Sequence, residues 1–253
     1  MSRSSHPIVG VIGGMGPEAT VDLMRRVIAA TPATDDADHI HMIVDNNPKI
    51  PSRIAALIDG TGESPSPEMC RMARGLEASG ASFIAIPCNT AHAYLDDVRN
   101  AVGVPVLDMP RLTASYLKGL FLAKQKVGVL ASTSVLKIKH YDKVLAEVGL
   151  VPVYPPDQSG LMAVIRSVKR GDTGAANRAR FKRIAQQLYD SGCDVLLIAC
   201  TELSILSDAL GSSLPFTDAM DILVNEILRL ATQDHDSRQT IPLPRTVAGM
   251  GRN

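Results

Sequence analysis

The chain has no excess of charge of either sign: 26 lysines and arginines balance 26 aspartates and glutamates. Binding nucleic acid or an anionic membrane needs a basic footprint, so the balance argues against both partners. No apolar run approaches the roughly 18–20 residues that span a bilayer. The opening stretch "MSRSSHPIVGVIGGMG" lacks a signal peptide's long apolar segment and leads straight into a strand pattern. A soluble, cytoplasmic protein is expected. Cysteine is scarce too, with four residues, Cys70, Cys88, Cys193 and Cys200, in 253. That is too few for a disulfide scaffold, and free thiols are the expectation. No two have CxxC spacing and no histidine pair accompanies them, which argues against zinc or another bound metal. Tryptophan is absent altogether.

What the chain does have is a core. Hydrophobic residues make up 45% of it, ample for one large α/β domain or two of roughly 100–150 residues. Strand, turn and helix patterns alternate. "PIVGVIGGMG" (7–16) is a buried strand running into a loop, and "PEATVDLMRRVIAAT" (17–31) a helix with proline in its first turn. "HIHMIVDNNP" (39–48), "SFIAIPC" (82–88) and "VPVLDMP" (104–110) supply further strands, and "SPSPEMCRMARGLEASG" (64–80) a helix closed by glycine. Short buried strands alternating with helices imply parallel sheets flanked by helices.

The second half repeats the first. "LEASGASFIAIPCNTAH" (76–92) aligns without a gap on "LYDSGCDVLLIACTELS" (188–204), cysteine on cysteine. "KVGVLAST" (126–133) matches "IVGVIGGM" (8–15), and "LPFTDAM" (214–220) matches "VPVLDMP". Three matched strands in one order, at offsets of 118, 112 and 110, indicate an internal duplication. The expected organisation is two similar α/β domains with the active site in the cleft between them. The first spans 1–113 and is completed by the helix "DAMDILVNEILRLAT" (218–232). The second spans 114–217, and residues 233–253 form a polar, flexible tail.

Ligands of parallel α/β sheets bind beyond the carboxyl ends of the strands, where Cys88 and Cys200 fall. Asn89-Thr90 and Thr201-Glu202 are expected to cap the helices that follow, leaving backbone N–H groups beside each sulfur. Such a setting lowers a thiol's pKa and attracts a carboxylate. Duplication then supplies two activable thiols, suited to taking a proton from one face of a carbon and returning one to the other. Cys193 aligns with Ala81 and Cys70 lies on a helix, so both are assigned to packing. A competing pattern is "GMGPEA" (14–19), which fits the G-x-G-x-x-A of nucleotide-binding oxidoreductases, with Asp45 at the end of the second strand. It leaves the matched cysteines unexplained. So does a non-catalytic amino-acid-binding protein.

The stretches "GGMGPEAT", "PCNTAH" and "ACTEL" resemble the signatures of the aspartate racemases, within the aspartate/glutamate/hydantoin racemase superfamily. The resemblance runs from Gly10 to about Asp221. It implies inversion of the α-carbon of an acidic amino acid, aspartate or possibly glutamate, with no pyridoxal or other cofactor. One cysteine would act as thiolate base and the other as thiol acid, and homodimers are common in the family. Arg53 and Lys169 match the cations that hold substrate carboxylates, with Lys49 and Arg170 as nearby competitors. Asn89, Thr90 and Thr201 would donate hydrogen bonds to substrate. Met15 either walls the site or is a plain loop residue, and Glu202 either meets substrate or serves the helix dipole. His92 either tunes Cys88 or is structural. Within the superfamily, hydantoin racemases, maleate isomerases and arylmalonate decarboxylases reuse the scaffold, though the decarboxylases lack one of the paired cysteines.

Overall fold

The computed structural model describes residues 6–122 and 124–232, so the expected tail, 233–253, lies outside the described residues. The chain divides into two compact units. One comprises the chain up to Met109 together with the segment from Leu223, and the other Pro110–Ile222.

The first unit builds β1 (Val9–Gly13), α1 (Pro17–Ala30), β2 (Met42–Asn46), α2 (Ser66–Ala78), β3 (Phe83–Ala85) and α3 (Leu95–Ala101). Its sheet has the order β2-β1-β3, parallel throughout. All five residues of β1 are buried, as expected of a central strand covered on both faces. After the connecting helix α4 (Met109–Leu120) come β4 (Lys126–Leu130), α5 (Thr133–Lys137), α6 (His140–Glu147), β5 (Val151–Val153), α7 (Gln158–Lys169), α8 (Ala175–Asp190), β6 (Val195–Ile198), α9 (Thr201–Ser204) and β7 (Phe216–Asp218). Their sheet runs β5-β4-β6-β7, also parallel. Helix α10 (Ala219–Ala231) follows, and the boundary between units falls inside it, after Ile222. Among the described residues, no helix is long and apolar enough to cross a membrane.

The duplication read from the sequence reappears in the strand registers. In the first unit Gly10 stands beside Ile84 and Val11 beside Ala85. In the second, Gly128 stands beside Leu196 and Val129 beside Leu197, the same pairs carried forward by the sequence offsets. The fourth strand expected at 104–110 shrinks to one bridge, Ile84 with Val106. Pro105 has no N–H to give the ladder and α4 begins at Met109, so a longer strand has no room. Its backbone bonds are nonetheless those of β7: Ile84 N–H donates to the Pro105 carbonyl (2.8 Å) as Leu196 N–H does to that of Pro215 (3.0 Å).

The glycine of each Val-Gly-Val lets a helix approach its central strand. A Cβ on Gly10 would lie 2.9 Å from the Ala81 Cβ and 3.1 Å from the Leu76 Cβ. One on Gly128 would lie 2.8 Å from Leu196 Cδ2 and 3.0 Å from Leu188 Cδ2. Leu76 and Leu188 are the aligned first residues of the two cysteine stretches. The obstacles differ in kind, because Cβ atoms are fixed to the backbone whereas leucine methyls can turn aside. Gly10→Ala and Gly128→Ala should each destabilise by about 1–3 kcal/mol through overpacking, with Gly10→Ala the costlier. Urea unfolding of the two variants would show this as unequal drops in midpoint.

Candidate active site

The registers fix where each cysteine leaves its sheet. Cys88 lies three residues past the end of β3 and Cys200 two past the end of β6. Both are 6% exposed, and in both the backbone carbonyl closes the next turn. Ala91 N–H donates to the Cys88 carbonyl (3.2 Å), and Leu203 N–H to that of Cys200 (2.9 Å). The turns that follow are short, a five-residue 3₁₀ turn at Thr90–Tyr94 and the four-residue α9. Their caps differ from expectation. Asn89 and Cys200 stand at the cap positions, and neither makes a side-chain capping bond. A single turn closed by backbone bonds leaves little for a capping side chain to satisfy.

Around Cys88, His92 has a definite part. Its Nε2 accepts the Met109 N–H (3.1 Å), so Nδ1 must carry the ring proton and donate to the Cys88 carbonyl (2.9 Å). The neutral ring, 3% exposed, thus ties the cysteine's backbone to the start of α4. Met15 is 2% exposed and packs in one apolar cluster with Cys88, Ile50 and Ala91. The loop before α1 is pinned by Thr20, whose Oγ1 accepts the Gly14 N–H (2.9 Å) and donates to the Gly16 carbonyl (3.2 Å). Gly14 has φ +89°, and a Cβ there would sit 2.2 Å from the Asn47 backbone. The approach of two loops therefore accounts for this glycine without a nucleotide. Arg53 leads into a π-helical turn (Ala55–Asp59) and donates to the Pro51 carbonyl (3.2 Å). Burial raises the Tyr94 phenol pKa while the Arg53 charge lowers it, which places the guanidinium near the turn after Cys88. Asn89 is buried and Thr90 half-buried.

The second unit joins three of the expected residues in one chain of contacts. The Cys200 thiol donates to Glu202 Oε2 (3.1 Å), and Lys169, the last residue of α7, pairs with Oε1 of the same carboxylate. Glu202 is 5% exposed and Thr201 2%. Burial foremost, then the Glu202 charge and hydrogen bond, push the Cys200 thiol well above its ordinary range, and Lys169 pulls it down. The lowering expected at a helix start is overturned here. One turn of helix offers little dipole, and an adjacent carboxylate opposes a thiolate directly. Of the competing cations, Arg170 is exposed and donates to Ser167 Oγ (3.3 Å), while Lys49 is exposed in the Asn47 turn. Two partners went unsingled in the sequence, Ser204 and Asp218. The Asp218 carboxylate accepts from Ser204 Oγ (2.7 Å) and the Met220 N–H (2.9 Å), joining the end of α9 to the end of β7. The match of Asp218 with Asp108 was the available signal.

Fold and turns together define a class: a duplicated, all-parallel α/β protein with a cysteine leaving the equivalent strand of each unit. The Asp/Glu/hydantoin racemase profile matches residues 12–227. The aspartate racemase of Picrophilus torridus superposes with a TM-score of 0.81 at 31% identity, covering 89% of this chain and 94% of that one. The broad-specificity amino-acid racemase RacX of Bacillus subtilis is 27% identical over 226 residues, 84% of this chain and 92% of that protein. A glutamate racemase of Cupriavidus pinatubonensis is 26% identical over 169 residues, 64% of this chain and 60% of that protein. The chain belongs to the Asp/Glu/hydantoin racemase family, and its activity is that of an isomerase.

Replacing His92 with leucine should cost about 1–3 kcal/mol, because the buried Met109 N–H loses its acceptor. A lower urea midpoint at unchanged slope would show it.

Proposed function

We propose that the protein racemises an acidic amino acid, aspartate first and glutamate second, without a pyridoxal group. The observation that carries this reading is the matched exit of Cys88 and Cys200 from equivalent strands, each carbonyl closing the turn that follows. The 31% identity to an aspartate racemase favours aspartate.

The chemical difficulty is the α-hydrogen, which is far less acidic than a thiol. One sulfur, as thiolate, takes that hydrogen from one face of the α-carbon, and the other, as thiol, delivers a proton to the opposite face. For the other enantiomer the roles exchange. Proton transfer by positioned groups typically contributes about 10²–10⁴-fold. Fixed donors and cations around the developing carbanion contribute the larger part. Arg53 and Lys169 hold the substrate carboxylates, and Asn89, Thr90 and Thr201 donate hydrogen bonds. Met15 forms an apolar wall beside Cys88. The active form is a cytoplasmic homodimer.

Purified protein incubated in deuterium oxide with L-aspartate, and separately with L-glutamate, should invert the substrate and place deuterium on the α-carbon, faster for aspartate. Cys88→Ser and Cys200→Ser should each cut turnover by about 10²–10⁴-fold. Absence of α-exchange with both acids, in folded protein with reduced thiols, would remove the acidic-substrate assignment.

A further inference from the structure

Glu202 has a role beyond that of a substrate contact or a helix-start acid. Its carboxylate is buried and divided between two neighbours, the Cys200 thiol on Oε2 and the Lys169 ammonium on Oε1. A thiol that donates to a carboxylate must keep its proton, since losing it would set two negative charges side by side. Helix α7 packs against α9 and supplies Lys169. The neighbouring acid on β7, Asp218, is engaged with Ser204 and the Met220 N–H. Strand β6, Val195–Ile198, carries no charge. The electrostatic surroundings of the sulfur on these elements thus come down to one carboxylate and one ammonium.

At the aligned position the first unit has no counterpart to this carboxylate. The offset that carries Cys200 back to Cys88 carries Glu202 back to Thr90, an uncharged residue. The duplication conserved the thiol and the turn but charged only one side.

We propose that Glu202 is a positioning residue that keeps Cys200 as the proton-bearing member of the thiol pair, with Lys169 setting the strength of that hold through the second oxygen. This rests on the two-thiol reading above. It makes the resting enzyme asymmetric: Cys200 is the resident acid, and Cys88 is the sulfur that takes the first α-hydrogen. The enantiomer whose α-hydrogen faces Cys88 is therefore the one the resting enzyme accepts.

The test follows the thiol itself. Wild-type protein, Glu202→Gln and Lys169→Met would be treated briefly with iodoacetamide between about pH 6 and 10. Alkylation at Cys200 would be read by peptide mass spectrometry, with circular dichroism to confirm folding. Glu202→Gln should move the Cys200 profile to lower pH by about one unit or more, roughly tenfold faster labelling on the rising limb. Lys169→Met should move it to higher pH. Opposite shifts are the signature of charge coupling, because a loosened loop would speed labelling in both variants. An unmoved profile in folded Glu202→Gln, or shifts in the same direction, would overturn the proposal. The labelling does not depend on turnover, so the racemisation assay on the same preparations separates the two readings. Opposite shifts in a protein that racemises nothing would support the coupling and sink the proposed function. Racemisation with an unmoved profile would sink only the coupling.

Discussion

Each unit depends on a central parallel strand hydrogen-bonded on both edges, β1 between β2 and β3, and β4 between β5 and β6. A parallel ladder admits no one-residue slip without turning every buried side chain to the wrong face. The register therefore fixes the level at which each flanking strand ends. Gly10 beside Ile84 and Gly128 beside Leu196 set that level for β3 and β6. From it follow the turns, the carbonyls that close them and the positions of both sulfurs. The small residue at the centre of each Val-Gly-Val is part of the same constraint, since it admits α2 or α8 closely enough to cover the strand.

Much of this was legible in the sequence, because duplication writes the same physical demand twice. The aligned pairs Leu76/Leu188 and Cys88/Cys200 hold matched places in chain and fold, and the offsets predict the ladder partners. Local pattern fell short where an element was too small to show its period. β5 is three residues, Val-Pro-Val, an edge strand that tolerates proline and reads as a turn. The fourth strand of the first unit is a single bridge for the same reason of length. At the candidate site, residues could be singled out from the sequence but their contacts could not. Glu202 was visible beside Cys200, yet its double engagement depends on where the end of α7 delivers Lys169, 33 residues earlier. The bond from the Met109 N–H to His92 closes 17 residues of chain, beyond the reach of any helical or strand period.

The two cysteine turns show how a duplicated scaffold acquires different halves. Backbone demands are met alike on both sides, because strand end and turn closure leave few alternatives. Side-chain demands diverge. Cys88 sits among apolar neighbours, with its carbonyl braced by a neutral imidazole, whereas the Cys200 thiol faces a buried acid and, through it, a cation. Similar backbone placement with unlike electrostatics gives the two turns different chemical characters.

The boundary inside α10 bears on the order in which the molecule can form. Among the described residues the second unit is one stretch, Pro110–Ile222, whereas the first needs its opening residues and the segment from Leu223. Leu223 and Ile227 are fully buried, so the amino-terminal portion lacks core residues until the last described helix leaves the ribosome. Domains made during synthesis generally fold in the order in which they emerge. Among the described residues that order is inverted: the unit begun first is the unit finished last, and the nascent amino-terminal half must wait, incomplete, through the making of the other.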